Sequence, residues 1–204
     1  MNDIVVISGP SGCGKSTLIA RLLEGEPGLR FSVSHTTRPR RENETDGVDY
    51  HFVDRERFEE MITEQAFAEW AVVHGHLYGT SWAEIREKTS AASAGQALVL
   101  DVDTQGARAI KARFPESLMI FILPPSLAEL RRRLLGREGG EDANVSERLT
   151  AAIGEMKQYE LYDFALVNDR LDEAATALRC IVRSRRYILP RQKELIENML
   201  RGVT

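Results

Sequence analysis

The sequence predicts an α/β fold in which helices cover a parallel sheet, and three observations carry that reading. Four short apolar runs, Ile4 to Ile7, Ala97 to Leu100, Leu118 to Leu123 and Phe164 to Val167, are continuous rather than alternating, as strands buried on both faces are. Segments with apolar residues at helical spacing lie between them, so strands and helices alternate along the chain. A glycine-rich stretch, Gly9 to Ser16, joins the first run directly to the first helical pattern.

Taken in order, Leu18, Ile19, Leu22 and Leu23 make the first apolar helix stripe, and Phe31 to Ser34 is a fifth strand candidate. Ser81-Trp82-Ala83-Glu84 and Ser126-Leu127-Ala128-Glu129 both fit a capping box, in which the Ser hydroxyl and the Glu carboxylate satisfy backbone amides of the first turn. Helices are therefore expected to begin near 82 and 127. Val145, Leu149, Ala152, Ile153 and Met156 form another stripe, and Ala174, Leu178, Ile181 and Val182 a further one. Arg179 to Leu200 reads as a packed helix with a solvated basic face, an oligomer contact being left open there. Two segments break the alternation: 35–80, rich in charge, aromatics and Gly, and 136–144, which reads as a mobile loop. Both read as insertions, and insertions at the carboxyl ends of parallel strands are where such sheets bind ligands.

The 204 residues suit one compact unit with smaller inserted parts, and 43% hydrophobic with 28% charged residues excludes a disordered chain or a disulfide scaffold. A net charge of −4 argues against a dedicated nucleic-acid or membrane-surface binder. Local basic groups exist, at Arg38, Arg40 and Arg41, at Arg131, Arg132, Arg133 and Arg137, and at Arg183, Arg185 and Arg186; the last reads as a solvated helix face. Cys13 and Cys180 alone allow neither a disulfide framework nor a four-cysteine zinc site. With no signal-like N-terminus and no run long enough to span a bilayer, a cytoplasmic protein is expected.

Gly9-Pro10-Ser11-Gly12-Cys13-Gly14-Lys15-Ser16 has the spacing of a triphosphate-binding loop, between a strand and a helix as that motif requires. Its glycines let backbone amides turn toward phosphate oxygens, and the following helix, with Thr17 in its first turn, adds a positive N-terminal end. Lys15 is expected on the β and γ phosphates, and Ser16 on Mg²⁺. Asp101 and Asp103 share one side of a strand end, where Asp101 suits the Mg²⁺ hydration shell. Cys13 is read as a small loop side chain, a thiol acidified by the helix end being the lesser alternative.

Ser34-His35-Thr36-Thr37-Arg38-Pro39-Arg40-Arg41 precedes Glu44, Gly47, Asp49 and Tyr50, and offers forked guanidinium donors suited to a dianionic phosphate. His35, His51, His74 and His76 have no zinc-like spacing and read as structural. Together Ser34, Thr36-Thr37-Arg38, Arg41, Glu44, Gly47, Tyr50, Phe52, Glu69, His74-Gly75, Tyr78-Gly79-Thr80 and Asp101-Val102-Asp103-Thr104-Gln105-Gly106 resemble the guanylate kinase family. The likeness continues through Arg133, Arg137, Arg148 and Val167-Asn168-Asp169 to the Arg-rich helix after 180.

That resemblance implies a P-loop core at 1–33, 85–125 and 157–204, the last with a C-terminal helix, a GMP-binding insertion at 34–84 and a helical lid at 126–156. It implies that Arg38, Arg41, Tyr50 and Tyr78 hold the GMP phosphate, that Ser34, Glu69 and Thr80 recognise guanine with Asp103 on the nucleoside side, and that Asn168 lies by the donor base. Lys15, Arg38, Arg133, Arg137 and Arg148 gather around the transferring group. The implied reaction is Mg²⁺-dependent transfer from ATP to GMP, and to dGMP, with ATP and GMP as the small-molecule partners. Guanine's N1 hydrogen and exocyclic amine can both donate to a carboxylate such as Glu69, whereas adenine's N1 cannot. No general base is needed, since a phosphate monoester with second pKa about 6 is already a dianion. Two other readings differ in class: a non-catalytic phosphopeptide-binding module of this fold, which would not need an intact phosphate loop, and a related small-molecule P-loop kinase, which would not need Glu69 or Thr80. Glu42-Asn43, His76 and Glu138 depart from the family pattern, and Glu42 adds an anion beside the acceptor phosphate.

Overall fold

The structure, a computed structural model, describes residues 3–73, 75–90, 96–138 and 142–202. The core sheet contains β1 (Ile4–Ser8), β2 (Leu29–Phe31), β7 (Ala97–Asp101), β8 (Leu118–Leu123) and β9 (Phe164–Val167), in the order β2-β7-β1-β8-β9 with every pair parallel. A second sheet, β4-β3-β6-β5, is built from β3 (His35–Thr36), β4 (His51–Phe52), β5 (Phe67–Val73) and β6 (His76–Ser81), with β6 antiparallel to both β3 and β5.

Helices α1 (Lys15–Gly25) and α7 (Leu171–Ser184) close one face of the core sheet. On that side Val5, Ile7, Val99, Ile120 and Ile122 pack with Leu18, Leu22, Leu178 and Val182. On the other, Ile4, Val6, Leu98, Leu100 and Met119 meet Ile85 of α3 (Trp82–Ser90) and Ala107 and Ile110 of α4 (Thr104–Arg113). Successive strand residues thus feed opposite clusters, which is why those runs read as continuous apolar stretches. Helix α2 (Arg55–Thr63) closes the second sheet with Phe58 and Met61 against Phe67 and Leu77. Helices α5 (Leu127–Glu138) and α6 (Asp142–Met156) share a separate small cluster, Leu130, Leu134, Val145 and Ala152.

Several expectations need correction. The fifth strand is Leu29–Phe31 rather than Phe31 to Ser34; Ser32 adds one bond to Val99, then the chain leaves the core sheet for the second one. The final strand, β9, lies at the sheet edge, and Phe164 and Val167 are exposed instead of buried on both faces. The expected loop 136–144 is shorter, because α5 runs to Glu138 and α6 starts at Asp142; residues 139–141 lie outside the described residues. The stretch after Arg179 is two helices, with a 3₁₀ turn at Arg185–Tyr187 and then α8 (Leu189–Leu200), which carries Pro190 in its first turn. Its Leu195, Ile196, Met199 and Leu200 are exposed. The third arginine group is a solvated face only in part, since Arg183 and Arg186 are exposed and Arg185 is not. Arg185 is buried on Asp3 (3.0 Å) and Arg183 binds Glu26 (2.7 Å), carboxylates more than 150 residues away in sequence.

Both helix starts fall where expected, and Ser81 and Ser126 accept from the N–H groups of Glu84 and Glu129 (3.2 and 3.1 Å). The glutamates go elsewhere than a capping box would send them. Glu84 accepts from the buried Val33 N–H (2.9 Å), and Glu129 is held by Arg132 and Arg133. Among the described residues no helix is long and apolar enough to cross a membrane.

Candidate active site

The loop between β1 and α1 ends on Gly14, the N-cap of α1, whose φ of 89° is left-handed. A Cβ there would also stand 2.3 Å from the Asn168 amide, so two constraints demand glycine at one position. Lys15 folds back beneath the loop, 3.2 Å from Asp101 and donating to the Gly9 carbonyl at 3.3 Å. Burial is the largest single influence and works against its charge, but Asp101, together with Cys13 and Glu155, outweighs it and holds the ammonium above the usual lysine range. Ser16 and Thr17 are exposed on the first turn of α1.

Cys13 is buried in the core cluster, and burial pushes its thiol up, opposite in direction to an acidified sensor. Its carbonyl is the anchor of the loop's outer side, accepting from Asn168 Nδ2 (2.9 Å) and Arg133 Nη1 (3.3 Å). Arg133 also donates to the Asn168 carbonyl (3.1 Å) and to Glu129 (2.8 Å), so α5 and the end of β9 both grip the loop. Arg148, on α6, donates to Ser11 Oγ at 2.9 Å. Arg137 belongs to α5, but its side chain lies outside the described residues, as does His74 altogether.

Glu69 and Thr80 are register partners on β5 and β6. One Glu69 oxygen accepts both the Thr80 N–H (2.8 Å) and its hydroxyl (2.6 Å), and Ser34 Oγ lies 3.4 Å from that hydroxyl. The chain Ser34, Thr80, Glu69 is buried throughout. Burial drives the Glu69 carboxyl up to about 7, against the pull of the Thr80 bonds. Its other oxygen lies against Gly106, where an added Cβ would stand 2.5 Å away. Gly106→Ala is therefore expected to displace the carboxylate and destabilise the fold by about 1–3 kcal/mol, as overpacking does. Thermal unfolding of the variant beside the wild type checks this. Asp103 caps α4 through the Gly106 N–H (2.8 Å), and Gln105 donates to its second oxygen (3.1 Å).

Arg38 bonds Glu44 at 2.7 Å, with Tyr50 and Phe52 rings at 5.5 and 5.8 Å from the guanidinium carbon. Tyr50 and Tyr78 rings meet edge to face at 5.8 Å. Arg41 is exposed, its backbone N–H tied to Glu44 (2.9 Å). Burial raises the Tyr50 phenol to about 12, with Asp101 and Tyr78 adding and Lys15 and Arg38 opposing.

Glu44 had only its motif place in the sequence, with nothing local to indicate that it bonds the Arg38 guanidinium and the Arg41 backbone N–H, and one carboxylate has no sequence signal at all. Glu155, on the last turn of α6, is raised to about 7 by burial, with Lys15 opposing and Asp103 adding. It occupies an ordinary amphipathic helix position, where a surface Glu and a site-facing Glu look alike.

A family model described as guanylate kinase matches residues 1–185. The guanylate kinase of Alkalilimnicola ehrlichii is 43% identical over 200 residues, 98% of this chain and 97% of that protein. That of Neisseria meningitidis serogroup A is 46% identical over 198 residues, 97% and 95% of the two chains. A crystal structure of guanylate kinase from Anaplasma phagocytophilum matches with TM-score 0.80 and 33% identity, covering 100% of this chain and 96% of that one.

Proposed function

Because the chain belongs to the guanylate kinase family, we propose that the phosphate loop and the cluster from Ser34 to Thr80 are the donor and acceptor halves of one transfer site. The protein is a kinase that moves the γ-phosphoryl of ATP to GMP, giving ADP and GDP. In this reading Lys15 exchanges its contacts with Asp101 and Gly9 for the β and γ phosphates, as a point charge at the loop's centre. Arg38, Arg41, Tyr50 and Tyr78 take the acceptor phosphate, and dGMP is a second acceptor. Rate comes from positioning and charge, since the acceptor needs no base.

Ser16 and Asp101 are hard oxygen donors at the mouth of the loop and fit Mg²⁺, which when bound supplies charge neutralisation between the phosphates. Arg148 reaches the loop through Ser11, while Arg133 braces its backbone through Cys13 and Asn168. We assign 34–84 to acceptor binding and 126–156 to a lid that excludes water on closing. Support comes from a second sheet formed wholly within 35–81 and from the separate apolar cluster shared by α5 and α6.

The observation that carries guanine selectivity is the buried carboxylate of Glu69, held by Thr80 and uncrowded by Gly106. A ring N1–H and an exocyclic amine satisfy it, while adenine leaves it facing a lone pair. A coupled ADP assay across GMP, AMP, UMP and CMP tests this. Turnover with GMP about 10⁴-fold above AMP is expected. Comparable rates with all four would overturn the assignment.

A further inference from the structure

We propose that Glu44 is a positioning residue for the acceptor phosphate, holding Arg38 and the turn from 38 to 44 in their anion-binding arrangement before the nucleotide arrives. This rests on the assignment of Arg38 to that phosphate.

Four bonds converge on Glu44. One carboxylate oxygen accepts from Arg38 Nη2 at 2.7 Å, and the other from the Arg41 backbone N–H at 2.9 Å. Its own N–H donates to the Arg41 carbonyl (3.2 Å), and its carbonyl accepts from Arg40 Nη1 (2.6 Å). The pair is well shielded, with side chains 14% and 13% exposed. Burial alone would raise the Glu44 carboxyl, yet the Arg38 and Arg41 bonds hold it below the usual range.

An acid beside a site for a dianion is an electrostatic cost, so its presence needs a compensating role. Arg38 supplies one. Glu44 and the Pro39 carbonyl (2.8 Å) each take one terminal nitrogen, and Tyr50 and Phe52 lie against the guanidinium carbon. The long side chain is thereby fixed, with Tyr78 as a further hydrogen-bond partner, and a guanidinium's five N–H groups exceed these contacts. Ordering a free arginine at the moment of binding costs rotamer entropy worth roughly fivefold in affinity. Glu44 meets that cost in the free protein.

The test is calorimetric binding of GMP and of guanosine, which lacks the phosphate, to the wild type, R38A, E44A, E44Q and the double variant R38A/E44A. E44A should weaken GMP about five- to tenfold, the cost of ordering the freed arginine on binding, and leave guanosine within about twofold. E44Q, isosteric and still an acceptor for Arg38, should fall between, and keeps the test open should E44A not fold. In the R38A background the E44A effect should shrink to within about twofold, because the two act through one contact. Tighter GMP binding in E44A, equal losses of GMP and guanosine, or the same loss with and without Arg38 would each overturn the proposal. Unchanged GMP affinity in R38A would remove the Arg38 assignment and this proposal together, whereas loss in R38A with none in E44A or E44Q removes the proposal alone.

Discussion

Lys15→Ala is expected to lower kcat about 10³-fold or more while sparing GMP affinity, read by the coupled assay and by calorimetry. The loss is confined to the donor half because Lys15 contacts Asp101 and Gly9, and not the cluster around Glu69. The same substitution carries a structural penalty that must be separated from the chemical one. Removing one member of a shielded ion pair strands the other, and Asp101, only 19% exposed, then carries an uncompensated charge worth up to a few kcal/mol. Adding Asp101→Asn should restore the melting temperature without restoring turnover. Lys15→Arg should not rescue, since a planar fork cannot follow the path of a flexible ammonium under the loop. Turnover of Lys15→Ala within tenfold of wild type would remove the donor assignment.

How much of this was legible in the sequence depends on where each residue's constraint comes from. The phosphate loop is written locally, because Gly14 must be glycine for its left-handed φ and the lysine follows at fixed distance. Core strands are legible for a similar reason, since alternate residues feed two apolar clusters. What was misjudged depends on distant partners. Arg185 looks solvated until Asp3, 182 residues earlier, neutralises it. Glu84 and Glu129 look like capping carboxylates until Val33 and Arg133 claim them. The thiol of Cys13 follows its burial rather than its place before a helix. Glu69 and Thr80 were found through the resemblance alone, because eleven residues of hairpin separate two side chains that only strand register brings together.

Glu69 should show the second large effect, in affinity, base choice and pH dependence at once. Its folded-state pKa of about 7, against an ordinary 4.5, means the folded chain keeps a proton that the unfolded chain has released between those values. The associated stability is full below pH 4.5 and lost as pH rises through 7, leaving a cost of order 3 kcal/mol above it. Glu69→Gln should therefore melt higher than wild type at pH 8 and no higher at pH 4. Binding reverses the preference, since guanine donates two hydrogens and needs the carboxylate charged. Guanosine is the right probe, because the GMP phosphate titrates near pKa about 6 and would obscure the signal. Its affinity for the wild type should rise as pH increases from 6 and level off above 7, while Glu69→Gln binds weakly with a flat profile. Glu69→Ala should raise the KM for GMP about 10²-fold and reduce the GMP preference over AMP by a similar factor, since an empty acceptor position penalises neither base. A flat wild-type guanosine profile alongside intact base selectivity would place guanine recognition elsewhere. A stability gain in Glu69→Gln at pH 8 coupled to lost selectivity would mean that the carboxylate is retained against folding because the purine requires it.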